Sequence, residues 1–446
     1  MLASAPSVST SLPLERDARP RGFLGRLRDR WMNFWFAPAT PSSLGFYRFL
    51  FFFCIFVFHV WDDSRVWHNV PREWFQPIWI FKFFHWKLLS PGKLLLMETV
   101  WKIALFFACI GFFTRLSAFI GFAFGLYLLG LANCWGKTGH GDAMVTLLMC
   151  VFAIARSGDG WSIDSLLRAA RRRDTSGAAP PLSGEYTWPV RCGQLVLSMV
   201  FFNAGCTKLI RSGLAWVTSD NMAILLIQHH FSSAPLTDLG LKLAQHPLLC
   251  KIMAGGSLAT ELSFPLALIS KWARRIVVPA CFMMQVGIGI FMGIYFTQFM
   301  VCYLFFVPWP KIGRWIVRRN QREPVADIFF DGTCGLCQGT VAVVRRLDLL
   351  CRVRFRDIAR EWPEVSAAFP QLDYHRCMED MHLIDRSGRL HVGFDAYRYL
   401  ARILPLGWIF LPFLYLPGVR AIGVRVYSFI ASRRAGIACA VAPRSP

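Results

Sequence analysis

Apolar residues occupy the first three quarters of this chain in long blocks, broken by short polar or basic intervals. A helix that crosses a bilayer needs about 20 mostly apolar residues. On that basis spans are predicted over 44–61, 95–113, 116–135, 143–155, 190–210 and 252–270. The apolar block 276–309 is too long for one ordinary crossing and reads as two, divided near Phe296-Thr297-Gln298, for eight in all. Before them, 23–36 interleaves Arg26, Arg28 and Arg30 with Leu24, Leu27 and Trp31, the pattern of an interfacial helix. Residues 62–94 mix Trp67, Trp74, Trp79 and Trp86 with His68, His85 and several lysines, and read as an aromatic segment lying at the interface. Ser162 opens a short amphipathic helix that closes on Arg171-Arg172-Arg173, and 212–250 is a semi-polar stretch. After 324 the pattern changes. Residues 325–330 form a short apolar run that predicts a buried strand, and 338–348 place Val341, Val343, Val344 and Leu347 at helical spacing. The apolar stretch 408–416 is short and proline-flanked, so it is expected to pack in a core or dock on the membrane rather than to cross it.

These patterns predict a polytopic all-α membrane bundle of about eight spans followed by a small α/β soluble domain. The parts are a basic leader over 1–43, the membrane domain over 44–310, a basic linker over 311–324, the soluble domain over 325–436 and a tail over 437–446. No cleavable signal peptide is expected, because the first apolar run starts too late. The chain has 446 residues, is 55% hydrophobic, and carries a formal net charge of +22. That charge does not call for a nucleic acid. The basic intervals are the leader, 114–115, 156–191, 271–275 and 311–322, and all fall on one side of an eight-span bundle. The positive-inside rule makes that side the cytoplasm, with both termini there. The 14 cysteines are mostly scattered through apolar segments as small hydrophobes and do not form a secreted disulfide framework.

Candidate chemistry begins at Asp331-Gly332-Thr333-Cys334-Gly335-Leu336-Cys337, between the predicted strand and helix. Cys334 falls at the mouth of the helix, where unpaired backbone N–H groups and the helix dipole favour a thiolate and lower the thiol pKa. In a reducing compartment such a pair reads as a redox dithiol. Cys334 is then the attacking sulfur, Cys337 the resolving one, and Asp331 a proton acceptor beside them. Two alternatives stay open. One is a zinc site made by Cys334, Cys337, His375 and Cys377, with Cys351 in reserve. The other is a pair of inert structural cysteines.

Ionisable residues inside apolar spans cost about 2.5–3.5 kcal/mol each on insertion scales. Arg48 lies near the start of the first span, close enough to the interface to snorkel. Glu261 stands in the sixth span. Lys208 lies late in the fifth, in Asn203-Ala204-Gly205-Cys206-Thr207-Lys208-Leu209 with Trp216 following, and His140 with Asp142 belongs to the same predicted end of the bundle. A buried amine is pushed toward use as a base, and an imidazole near a carboxylate toward proton relay. The plainer reading is a lysine that snorkels outward and a loop histidine.

Two family resemblances attach to these residues. Asp331, Cys334 and Cys337, with Gly393-Phe394-Asp395-Ala396, Leu404-Pro405, Leu416-Pro417-Gly418, Tyr427 and Arg433, resemble the DCC family of thiol-disulfide oxidoreductases over about 325–436. That resemblance implies a thioredoxin-like fold, although Glu379-Asp380 stand where thioredoxins carry a proline before a later strand. The run from Ala204 to Leu209, with Tyr47-Arg48-Phe49, Gly139-His140-Gly141-Asp142, Trp161-Ser162-Ile163-Asp164 and Met292-Gly293-Ile294, resembles the HTTM membrane domain over about 40–310. That domain is shared by bacterial proteins and the vitamin K-dependent gamma-glutamyl carboxylase. The resemblance implies Lys208 as a base, His140 as its helper, and a quinone in the membrane domain.

The expected function is therefore a membrane-anchored thiol-disulfide oxidoreductase of a bacterial inner membrane. Its dithiol needs no cofactor for exchange, and its partners are the lipid bilayer and a disulfide-bearing protein or small molecule. A quinone-dependent carboxylase-like enzyme built around Lys208, or a non-enzymatic scaffold or transporter, are the alternatives.

Overall fold

The computed structural model describes residues 22–136, 139–176, 180–233, 235, 237–320 and 323–433. It is helical from Phe23 to Asn320 and α/β beyond. The leader before residue 22 and the 437–446 tail lie outside the described residues. Among the described residues, four helical stretches are long and apolar enough to cross a membrane: Pro41–His59, Thr114–Ala132, Gly184–Ser212 and Lys271–Met292. Gly141–Ile154 and Thr297–Phe306 are apolar but shorter. Helix Pro91–Ile110 has the length, yet it carries Lys93, Glu98 and Lys102, the last two ion-paired at 2.7 Å. Length and composition thus support four spans rather than the eight expected.

The division of 276–309 does occur. Helix Lys271–Met292 stops at Gly293, whose φ of +68° suits glycine, and the chain turns helical again at Thr297. The basic residues at 271–275 open this helix instead of forming a turn, with the Ser270 side chain as its cap. The 212–250 stretch is more ordered than its polarity suggests. It contains helix Asn221–Ser233, whose Met222 and Leu226 share a small core with Cys250, Ala254 and Met292.

Helix Pro41–His59 organises the bundle. Leu44, Phe51, Phe52 and Ile55 repeat at helical spacing and are wholly buried, packed with Phe152 and Phe305. Arg48 lies on the same stripe. It does not snorkel: it is fully buried, and its guanidinium donates to the carbonyls of Ser157 (2.9 Å), Cys109 (3.4 Å) and Trp161. A cation can sit there because these carbonyls end helices or line a turn and have no other backbone donor to spend. Gly45 and Gly160 bring two backbones together beside it, where a side chain on either would collide with the other strand of chain. Asp164 caps the next helix, accepting from the N–H groups of Phe113 (3.0 Å) and Thr114 (2.8 Å).

The soluble part is a four-stranded sheet of β1 (Ala326–Phe330), β2 (Val353–Asp357), β3 (His382–Asp385) and β4 (Leu390–Val392), in the order β2-β1-β3-β4. β1 pairs in parallel with β2 and antiparallel with β3, and β3 is antiparallel to β4. Strand alternation divides the core between two faces. Ile328 and Leu383 pack with Val344 and Leu400 of helices Gly335–Leu347 and Phe394–Ile403. Phe329 and Ile384 pack with Val365 and Cys377 of helices Ile358–Ala368 and Tyr374–Glu379. The two parts of the chain touch where helix Ile163–Arg172 lies against helix Gly335–Leu347.

Arg48→Met would leave three buried carbonyls without their donor. The expected loss is about 3 kcal/mol or more, read as a lower melting temperature of the purified protein in detergent. An unchanged melting temperature would mean that the carbonyls find other partners.

Candidate functional site

The dithiol sits where β1 ends. Phe330 is the last buried strand residue, and the turn Asp331-Gly332-Thr333 delivers the chain to helix Gly335–Leu347 with Cys334 at its N-cap. The Asp331 side chain builds this turn. Its Oδ1 accepts from the Thr333 N–H (2.8 Å) and hydroxyl (2.6 Å), so the carboxylate assigned as a proton acceptor is occupied in holding the loop. Gln338 donates from its amide to the Gly332 carbonyl at 2.5 Å. Gly332 itself rests against the Asp357 carboxylate at the end of β2, where a side chain would collide. Cys334 is buried at 8% exposure, whereas Cys337, one turn on, is half-buried and forms part of a cavity wall.

The other side of this helix is covered by the membrane part of the chain. Gly335 lies under the Arg173 guanidinium, and Gly339, one turn on, lies against the Ala170 carbonyl. A cation from the segment between bundle helices therefore stands against the first residue of the dithiol helix. Sequence reading missed Arg173. The signal available was a pair of glycines four apart on the dithiol helix, a small-residue face that lets another helix approach closely.

The zinc alternative is not assembled. Cys377 is on the opposite face of the sheet, in the core with Phe329, Ile358 and Val365, while His375 is exposed. Burial, with help from Asp373, pushes the Cys377 thiol up to about 11, away from the thiolate that a metal needs. Among the described residues no three His, Cys, Asp or Glu side chains come together as a metal site.

Lys208 is in helix Trp188–Ser212 and points inward. Its Nζ meets both carboxylate oxygens of Glu261, at 2.6 and 2.7 Å, and lies 4.8 Å from the Trp216 ring centre. Gly205 lets helix Pro247–Ser263 come close enough for this pair, with Leu262 and the Glu261 stem about 3 Å from where a side chain would begin. The outward snorkelling reading is thereby corrected: a carboxylate in a neighbouring apolar helix holds the amine. Glu261 has no role in the sequence reading, although an acid in an apolar span itself calls for a counter-charge. The pair borders a cleft of about 630 Å³ lined by Asn203, Thr207, Lys208, Arg211 and Trp216. No described residue of helix His140–Ile154 lines it. The His140 side chain lies outside the described residues. Asp142 is engaged with Asn133 (2.8 Å) and Gln298 (3.2 Å).

The two sites are far apart. Near the start of the Lys208 helix, Arg191 donates to the Phe34 carbonyl at 2.9 Å, which puts that end beside the start of helix Pro41–His59, the end where the dithiol domain docks. Lys208 is 17 residues further on, about 25 Å along a helix.

Lys208→Met alone would leave the Glu261 charge buried without its partner, at an expected cost of about 3–5 kcal/mol. The double variant Lys208→Met/Glu261→Met is expected to recover most of that in thermal unfolding. A double variant no more stable than Lys208→Met would show that the two do not act as a unit.

Residues 36–309 match the family model of the HTTM domain, and residues 328–440 match that of the DCC1-like thiol-disulfide oxidoreductase. Neither a curated protein nor a solved structure matches the chain. The HTTM match alone covers more than half of the sequence and the oxidoreductase match follows it without overlap, so the chain belongs to the HTTM domain family and carries a DCC1-like thiol-disulfide oxidoreductase domain after it.

Proposed function

We propose that the chain is a membrane-anchored thiol-disulfide oxidoreductase whose working group is the Cys334–Cys337 dithiol. The observation that carries this is the placement of the pair: Cys334 at the N-cap after β1, Cys337 one turn on, and the Arg173 guanidinium over the intervening helix start. The sheet order, with β3 antiparallel to its neighbours, is that of a thioredoxin-like domain and supports the same reading. Cys334 thus stands at a helix N-terminus, with a cation against the first residue of that helix.

In exchange, the Cys334 thiolate attacks one sulfur of a substrate disulfide. The first S–S bond breaks, a mixed disulfide forms, and the leaving thiolate takes up a proton. Cys337 then attacks Cys334, releases the second substrate thiol, and leaves the pair as a disulfide. Two electrons pass from the dithiol to the substrate; run in reverse, the same exchange oxidises a substrate dithiol and returns the pair to the reduced state, which an electron acceptor then reoxidises.

A cytoplasmic position is the favoured one. Arg156, Arg168, Arg171, Arg172 and Arg173 lie on the segment that carries the dithiol domain, and Lys311, Arg314, Arg318 and Arg319 lie on helix Trp309–Asn320, which leads into it. An eight-span count is compatible with that orientation if helices Pro91–Ile110 and Pro247–Ser263 and the two shorter apolar helices also cross. A bacterial inner membrane is the expected setting.

A second reading rests on the Lys208–Glu261 pair beside its cleft. An ammonium held by two carboxylate oxygens is a proton donor, so Lys208 could act as a base only after Glu261 or the substrate had taken its proton. That makes the pair, rather than Lys208 alone, the unit of any proton transfer there, and a quinone or another ligand would have to occupy the 630 Å³ cleft beside it.

The dithiol reading is tested on the full chain, equilibrated in thiol–disulfide redox buffers and trapped by alkylation. A single reversible two-electron couple is expected, lost in both Cys334→Ser and Cys337→Ser with the melting temperature retained. Arg173→Ala should slow attack on a small disulfide about fivefold, as befits ~1 kcal/mol of lost charge attraction in a solvated setting. Absence of any reversible couple with both cysteines intact would sink the proposal.

A further inference from the structure

On the side of the dithiol helix away from Arg173 there is a cavity of about 600 Å³. Leu336, Cys337, Thr340 and Val341 form one wall, and Ile422, Val426 and Ile430 of helix Val419–Ser432 form the facing one. Among the described residues no Asp, Glu, Lys, Arg or His lines it. Its polar groups are Thr340, two tyrosines and the Cys337 sulfur. The Tyr427 hydroxyl accepts the Met381 N–H at 3.0 Å, and the Phe394 ring fills the space over Gly423, so the outer helix is fastened to the domain by residues that themselves line the cavity.

That outer helix is itself half of an unusual element. The helical stretches Pro405–Leu414 and Val419–Ser432 are together apolar enough for a membrane segment but are bent by 111°. Trp408, Ile409, Phe410, Phe413, Ile422 and Phe429 are all more than half exposed to the surroundings. So much exposed apolar surface, on a domain tethered to a membrane bundle, fits insertion into the bilayer surface. The cavity then opens among residues that sit in lipid.

We infer that this cavity is a binding site for a bilayer-soluble quinone, which serves as the electron acceptor of the dithiol. The inference rests on the redox reading of Cys334 and Cys337. The wall chemistry selects the class. An uncharged, apolar chamber of this size suits a ring with part of an isoprenoid tail. It has nothing to pair with the charges of glutathione or of a nicotinamide dinucleotide, whose burial there would be uncompensated. A redox partner is required because the one reactive group in the wall is a thiol.

The step balances. The Cys337 thiolate adds to a quinone ring carbon, and the electron pair moves to a carbonyl oxygen, which takes a proton. The Cys334 thiolate then attacks the Cys337 sulfur. The S–S bond forms, the C–S bond breaks, and its electron pair returns to the ring, whose second oxygen takes a proton. Two thiols and a quinone become a disulfide and a hydroquinone. Cys337 makes the adduct because it, and not the buried Cys334, lines the cavity.

The experiment uses the full-length protein in lipid nanodiscs, reduced, freed of reductant and kept anaerobic. Decylubiquinone and the small water-soluble hydroxyethyl disulfide are offered separately. Hydroquinone is followed by absorbance and the thiols by alkylation and mass. The expected result is one hydroquinone formed per dithiol lost, with none in Cys337→Ser. Val426→Trp, which fills the cavity, should lower the quinone rate relative to the hydroxyethyl disulfide rate by about tenfold or more, the disulfide reaction reporting that the domain is folded. A dithiol oxidised by hydroxyethyl disulfide but untouched by decylubiquinone would overturn the quinone site and leave the exchange reading standing, with a peptide disulfide as the favoured substrate. An unchanged rate ratio in Val426→Trp would also overturn it, because the quinone would then react outside the cavity. If neither oxidant acts on the wild type, the redox reading fails and the quinone site fails with it.

Discussion

The buried guanidinium of Arg48 is the contact on which the arrangement of this molecule depends. It ties together the end of helix Pro91–Ile110 through Cys109, the turn after helix His140–Ile154 through Ser157, and the start of the basic loop through Trp161. Three carbonyls that would otherwise be stranded in an apolar bundle share one cation. The residues just after Trp161 inherit that position. Ser162 caps helix Ile163–Arg172, Asp164 caps helix Thr114–Ala132, and the far end of the short helix meets the dithiol domain. A charge inside the helical bundle thus sets the place of the Cys334–Cys337 helix.

Much of this was legible in the chain, and the failures have physical causes. The strand, the turn and the helix around Cys334 were readable because short-range rules govern them: alternation, an Asp that accepts within its own turn, and an N-cap. The helix at Phe23–Phe36 was readable from the spacing of its charged and apolar residues. The span count was not, because helices such as Pro91–Ile110 carry charges that are neutralised by near neighbours, and hydropathy alone neither counts nor excludes them. Arg48 was misread, and Lys208 was left between two readings, for a related reason. A cation near the end of a span can reach water or can find partners inside, and only the fold says which. Arg48 finds carbonyls and Lys208 finds Glu261, both on segments distant in sequence. The cavity beside Cys337 was invisible in sequence because its two walls come from helices some 80 residues apart.

The molecule keeps two charged or reactive centres at opposite ends of its bundle, and the residues around them differ in kind. The Lys208 cleft sets an ion-paired ammonium, Arg211, Asn203, Thr207 and Ser212 among the apolar Met199, Val200, Ala204 and Trp216. The chamber at Cys337 is almost purely apolar. One recess therefore carries charged side chains among apolar helices, and the other, among the described residues, carries none.

The glycines at 335 and 339 carry a consequence for anyone who would study the dithiol domain in isolation. They are flat spots on the one helix that bears the cysteines, and in the intact chain they are roofed by Arg173 and the Ala170 backbone. A fragment cut free at the linker would keep both sulfurs and the whole sheet but lose the roof. Water would hydrate the helix start, and the guanidinium would be gone. Such a fragment would be a faithful copy of the fold and an unfaithful copy of the surroundings of the two cysteines.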